Sequence, residues 1–274
     1  MKHIFAVAAA LLVLPAVAGA QISPNTRLLQ KPEWDGAVFA NPWVYGQIRY
    51  QYYSSNFDPG ADKQKIKTSV FGLGPTFAMS IPTLEQLELG GRAWFLSSST
   101  KNGGRSTGTG LSDVDIWGKY QFIDDPILLA GGLLFTLPTG TEKVVSLGAG
   151  EINVEFFGAT RYYITDVFAL VGHLGLRSNG DAKKKTKDAE YDLDGQASFE
   201  LGGGLIYQAI PEMNILAELN FATEPYKDLD NDIEITAGVE YSLMDNFNLR
   251  GGFGIGLDDV SPDFELMAGA SYAF

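Results

Sequence analysis

The chain has 274 residues, 32 glycines, 12 prolines and no cysteine, and it carries a formal net charge of −13. Hydrophobic residues make up 45% and charged residues 19%, with a mean hydropathy of zero. This apolar content excludes an acidic disordered chain, the excess of acid excludes a nucleic-acid binder, and the missing cysteines exclude disulfides, thiolate metal sites and cysteine nucleophiles.

Lys2 and His3 precede an apolar run from Ile4 to Leu14, Pro15 breaks it, and Ala18-Gly19-Ala20 places small residues at the A-x-A positions. This is the pattern of a secretory signal over residues 1–20, with cleavage expected after Ala20. The run is too short to span a bilayer, and no stretch of about twenty apolar residues follows it, so no membrane-crossing helix is predicted. Residues 21–41 form an irregular segment containing Leu28, Leu29, Trp34, Val38 and Phe39. It is apolar enough to dock inside a larger body, and a loose periplasmic tail is the alternative.

From Trp43 onward the chain reads in period two. Val44, Gly46, Ile48, Tyr50 and Tyr52 alternate with Tyr45, Gln47, Arg49 and Gln51, which is the alternation of a strand. The pattern predicts twelve strands near 43–53, 67–81, 87–97, 111–122, 127–138, 151–164, 167–177, 195–208, 213–223, 232–242, 247–257 and 263–274. One face of every strand lacks charge. The other holds Arg49, Glu88, Arg92, Asp113, Asp115, Lys119, Glu155, Arg161, Arg177, Glu200, Glu218, Glu234, Glu240, Arg250 and Glu265. Pro75 resists, because it cannot donate to a ladder and a closed barrel has no free edge to hide it. A bulge near Gly74-Pro75 is expected, or else a strand that begins later.

A sandwich buries such an apolar face, whereas a membrane barrel turns it outward to lipid. Three features select the barrel. The strands are longer than the usual ~5–6 residues and meet the ~9–11 needed to cross a bilayer at a tilt. Short turns alternate with long polar loops, as in outer-membrane barrels. Aromatic residues also collect at both ends of the apolar face, Tyr120, Phe122, Tyr162 and Tyr241 at one and Tyr52, Phe71, Phe135 and Phe253 at the other. The expected fold over residues 42–274 is therefore all-β, a transmembrane antiparallel up-and-down β-barrel of twelve strands in the bacterial outer membrane. The chain ends Ala268-x-Ala270-x-Tyr272-x-Phe274. Tyr272 and Phe274 resemble the C-terminal assembly signal of such barrels, which makes the barrel-assembly machinery, outer-membrane lipid and lipopolysaccharide the expected partners.

Twelve strands ~4.8 Å apart and tilted ~40° enclose a backbone diameter of roughly 24 Å, which side chains narrow to about ten ångströms. In the register that sets Arg92 against Asp115, Glu88 falls against Lys119 and Trp94 against Asp113, and opposed charges support one another. Glu88, Arg92, Asp113, Asp115 and Lys119 thus form a lumenal charge network, either an ionic stiffener or a cation-tolerant path. Trp94, Trp117, Leu128, Leu134 and Phe157 form an inward apolar stripe, either a path for a small hydrophobic or aromatic solute or packing beneath an inserted segment.

No cofactor or metal site is expected. Asp228-Leu-Asp230-Asn-Asp232 lacks the glycine and closing glutamate of a calcium loop. Lys183, Lys184, Lys185 and Lys187 read as a solvated loop run. His173 is inward with no serine beside it, so no enzyme is predicted.

Gly110-Leu-Ser-Asp-Val-Asp-Ile-Trp-Gly-Lys-Tyr-Gln-Phe122, Leu137-Pro-Thr-Gly-Thr141 and Leu147-Gly-Ala-Gly150 together resemble the family of outer-membrane transporters named for the meta pathway of phenol degradation. The resemblance implies a barrel that moves hydrophobic or aromatic compounds and brings no catalytic residues. The hydrophobic-compound channels with an N-terminal hatch are a neighbouring possibility, with Asn41-Pro42-Trp43 a partial echo. The leading functional expectation is passive uptake of small hydrophobic or aromatic molecules; the alternative is a closed-lumen structural or surface-interaction protein.

Overall fold

The computed structural model describes residues 22–39, 41–57, 64–102, 104–141, 147–185, 190–227 and 229–274. The signal region and Lys187 lie outside these residues, as do the side chains of Lys183, Lys184 and Lys185. Sixteen strand segments follow in chain order: β1 (Trp43–Phe57), β2 (Gln64–Ile81), β3 (Leu84–Arg92), β4 (Phe95–Asn102), β5 (Gly104–Leu111), β6 (Val114–Ile123), β7 (Ile127–Leu137), β8 (Asn153–Thr165), β9 (Phe168–Ser178), β10 (Ala182–Lys185), β11 (Glu190–Leu193), β12 (Ala197–Ile210), β13 (Met213–Ala222), β14 (Asp232–Met244), β15 (Phe247–Gly256) and β16 (Phe264–Ala273). β10 and β11 make a separate two-stranded ribbon in a loop. The other fourteen form one antiparallel sheet that closes where β1 pairs with both β2 and β16. β3 with β4, and β5 with β6, are two halves of single staves, so the sheet is a closed barrel of twelve strands.

The alternation is realised as expected. Val44, Ile48, Leu73, Phe77, Leu89, Leu133, Leu174, Leu219, Ile235 and Leu266 are all exposed on the outside. Gln47, Glu88, Lys119, Glu155, Arg161, Glu218, Glu240 and Arg250 are buried within. A soluble protein could not leave so large an apolar band in water, whereas lipid satisfies it.

The five short hairpin turns, β2–β3, β6–β7, β8–β9, β12–β13 and β14–β15, each carry a register shift beside the turn. Bulges of this kind turn the chain tightly at a barrel rim. At the opposite rim the first two long connections are largely strand. β1 and β2 pair out to Phe57 and Gln64, and β4 and β5 pair out to Asn102 and Gly104. The expected loops at 54–66 and 98–110 are thus sheet projecting beyond the apolar belt. Polar residues there hid the alternation.

Pro75 lies opposite the gap between β3 and β4. Its carbonyl accepts a hydrogen bond from the Ala93 amide at 3.2 Å, so its ring nitrogen also points toward the gap, where no donor is required. The interruption is therefore in the neighbouring stave. It shifts the register by one residue, because Arg92 pairs with Asp115 while Phe95 pairs with Leu111. The Trp94 carbonyl accepts from Ser112, not Asp113, at 2.8 Å.

Leu133 sits near the middle of β7 on the outer face. Leu133→Lys is expected to destabilise the folded barrel by about 2–4 kcal/mol, read as a lowered urea midpoint for folding into liposomes.

Candidate functional site

The lumen is filled. Residues 22–39 enter it from the short-turn rim, where the Ile22 amide donates to the Asp166 carbonyl at 3.0 Å. They return to the same rim, where Phe39 stacks on Trp43 at the start of β1 with ring centroids 4.5 Å apart. Ile22, Leu28, Leu29, Trp34 and Phe39 are each at most 3% exposed, so the apolar residues of the irregular segment are docked.

An irregular segment at membrane depth must have its backbone groups satisfied by protein. Here the lumen wall supplies the partners. Lys119 donates to the carbonyls of Glu33, Asp35 and Ala37 at 3.2, 3.0 and 2.9 Å. Arg161 reaches the carbonyls of Ser23 and Thr26, and Arg250 reaches those of Arg27 and Leu28. The Glu218 carboxylate accepts from the amides of Leu29 and Gln30, and Glu88 accepts from Phe39 at 3.1 Å.

Side chains add ion pairs. Arg161 meets Asp35 at 2.5 Å, Lys31 meets Glu200, and Arg92 bridges Asp115 at 2.8 Å and Glu33 at 3.3 Å. The Asp35 carboxylate is thereby held against the Arg161 guanidinium inside the lumen.

The Glu88–Lys119 and Arg92–Asp115 pairs face each other in the expected register, and both are also bonded to the plug. Asp113 does not join them. It lies between β5 and β6, and its carboxylate accepts from the amides of Gly140 at 2.8 Å and Ala149 at 2.6 Å. Thr141 and Leu111 bond to each other through the Thr141 amide at 2.8 Å and the Leu111 amide at 3.1 Å. The Val114 amide donates to Thr139 Oγ1 at 3.0 Å. The segments Gly110–Asp115, Leu137–Thr141 and Leu147–Gly150 are thus one folded unit at the long-loop rim. Asp113 is its clasp.

Of the apolar stripe, Trp117, Leu134 and Phe157 pack in a buried cluster with Trp34, Phe39, Trp43 and Tyr45. Trp34 stacks on Phe157 at 5.9 Å and meets His173 edge-on at 4.4 Å. Trp117 lies flat over Gly90, where any Cβ would strike its ring, and donates to Glu88 at 3.2 Å. Leu128 is half-buried, and its carbonyl lies against Gly36 so closely that a Cβ there would sit 2.2 Å from it. Only glycine lets the plug approach the wall at this point. Trp94 alone of the five lines open space.

That space is a cavity of about 470 Å³ above the plug at the long-loop rim. Trp94 and Tyr226 face it, with Asp113, Asp115, Glu200, Asp232, Glu234, Lys31 and Arg177 among its walls. Sequence reasoning missed the plug's own charges, Arg27, Lys31, Glu33 and Asp35. Their signal was the presence of four charges in a segment otherwise apolar enough to be buried. Among the described residues no cluster of three His, Asp or Glu could hold a metal. Asp228 of the acidic run lies outside them.

Comparison with solved structures gives the class of fold. An outer-membrane channel from Pseudomonas putida F1 matches with a TM-score of 0.70 at 12% identity, over 90% of this chain and 100% of that one. The transport unit of the autotransporter AIDA-I from Escherichia coli matches at 0.57 and 14% identity, over 98% and 97%. The NanC porin matches at 0.51 and 9% identity, over 85% and 98%. The chain has the fold of bacterial outer-membrane β-barrels. No protein-family model matches its sequence, and no curated protein does.

Asp35→Ala leaves Arg161 buried without its counter-charge, expected to cost about 3–5 kcal/mol. The plug should then yield to protease in detergent-solubilised barrel while the strands resist.

Proposed function

We propose that this protein is a plugged outer-membrane channel for passive movement of small solutes, with hydrophobic or aromatic compounds the leading class. The observation that carries the reading is the filled lumen beneath an open cavity. A barrel needed only for structure gains nothing from a 470 Å³ vestibule walled by Trp94 and Tyr226. The plug separates that vestibule from the short-turn rim. Trp117, Leu128, Leu134 and Phe157 are the surface a solute meets once residues 22–39 shift. The secretory signal, the Tyr272 and Phe274 terminus and the resemblance to the phenol-pathway transporters support the same location and class.

The vestibule also holds five carboxylates against two cations. It therefore favours amphipathic or cationic aromatic solutes over aromatic anions. The second reading, a barrel whose lumen never opens, is favoured by the number of bonds that hold the plug. Planar-bilayer recording separates the two. The wild type is expected to conduct rarely and briefly, and a variant lacking residues 21–40 to hold a steady pore. In proteoliposomes, uptake of small aromatic solutes should exceed that of equally small sugars and fall several-fold with Trp94→Ala. Equal uptake of both solute classes would remove the aromatic preference, and a barrel that stays closed without its plug would establish the second reading.

A further inference from the structure

The projecting sheet formed by β1, β2, β4 and β5 carries a row of positive charge on its outer face. Lys67 of β2 pairs directly with Lys101 of β4, and Lys101 pairs directly with Arg105 of β5. The alternation places all three on the face that carries Phe71, Leu73, Phe95 and Leu111 to lipid, because Phe71, Leu73 and Lys67 share parity on β2 and Phe95 and Lys101 share it on β4. Like charges opposed across a ladder destabilise a sheet. No salt bridge reaches any of the three among the described residues, although Arg49, Arg92, Lys119, Arg161, Arg177 and Arg250 in the lumen each have one. Among the described residues, an acidic protein that neutralises its inward cations leaves these three opposed and without a salt bridge.

Their surroundings are a receptive hollow. Lys67, Lys101 and Arg105 line a depression of about 350 Å³ with Tyr52, Ser69 and Ser99. Arg105 Nε donates to Ser99 Oγ at 3.0 Å, which steadies the guanidinium and leaves its terminal nitrogens for another acceptor. Directly below, toward the apolar belt, Tyr50 and Tyr52 pack on Phe264 at 5.9 and 5.5 Å. Three cations and three hydroxyls thus sit just above an aromatic girdle, on the membrane-facing side of the sheet.

We propose that this hollow binds the phosphate of a phosphorylated lipid headgroup in the outer leaflet, namely the lipid A of lipopolysaccharide. Guanidinium and ammonium groups bind phosphate through charge-assisted hydrogen bonds, and the row's position flush with the apolar belt selects a lipid over a soluble polyanion. Acyl chains lie along Phe71, Leu73 and Phe95 while the phosphate meets the cations. The bound anion then relieves the repulsion built into the ladder. This site rests on the outer-membrane location of the proposed function, with the long-loop rim taken to face outward.

The test uses the full-length barrel in detergent, titrated with lipopolysaccharide, with enzymatically dephosphorylated lipopolysaccharide, and with inorganic phosphate. Wild-type protein is expected to bind the phosphorylated lipid at least tenfold more tightly than the dephosphorylated one. The triple variant Lys67→Gln, Lys101→Gln, Arg105→Gln should lose most of that preference. Lys101→Gln alone should raise the melting temperature in lipid-free detergent and lower it once lipopolysaccharide is added, a reversal that general misfolding does not produce. A triple variant that binds within twofold of wild type overturns the proposal. So does inorganic phosphate giving the full wild-type shift, which would make this a soluble-anion site. Because the chain has no cysteine, Lys101→Cys can be labelled cleanly on intact cells with a membrane-impermeant maleimide. Labelling only after lysis would refute the assigned orientation, and with it this site, while leaving the plugged channel itself untouched.

Discussion

An irregular stretch of chain in the middle of a membrane has nowhere to send its amides and carbonyls except to protein. The rest of this barrel is arranged around that constraint. Lys119, Arg161 and Arg250 are lumenal cations whose nearest acceptors include carbonyls of residues 22–39, and Glu88 and Glu218 are lumenal anions that take that segment's amides. The inward charges of the strands are therefore a mould for one piece of backbone. The mutual pairs of Glu88 with Lys119 and Glu240 with Arg250 keep those four charges compensated while they do so.

The two architectural halves follow different chemistry. The outside is solved by pattern alone, since any apolar residue of suitable size satisfies lipid. The inside is solved by particular contacts, such as the glycine at position 36 that admits the wall, or Trp117 laid flat on Gly90. The space left above the plug is correspondingly mixed, with aromatic faces set among carboxylates.

The strands and their register were legible in the sequence because a period of two is local and a lipid-facing slip would bury charge in hydrocarbon. The pairing of Glu88 with Lys119 and Arg92 with Asp115 followed from the same logic. What was not legible depended on breaks in the ladder. The gap at Ala93-Trp94 moved Asp113 away from Trp94 and gave it to the amides of Gly140 and Ala149. The three motif stretches that suggested a transporter family are separate in sequence, and nothing local shows that they fold as one unit. Trp117, Leu134 and Phe157 were correctly placed inward, but alternation alone could not distinguish a wall from the floor under a plug. The strands extending through 54–57 and 98–102 were hidden because polar residues occupy both faces once the sheet leaves the membrane.

The plug's partners come from nearly the whole barrel: Glu88 and Lys119 from its early strands, Arg161 from the middle, Glu218 and Arg250 from near the end. A barrel that closed empty would hold these groups around water, and the segment would then have to be threaded into a finished ring against its own side chains. Closure itself joins β1 to β16, and β1 begins a few residues after Phe39. The earliest stretch of the described chain therefore ties early, middle and late staves to one another across the lumen, and loosening it would loosen strands on both sides of the seam.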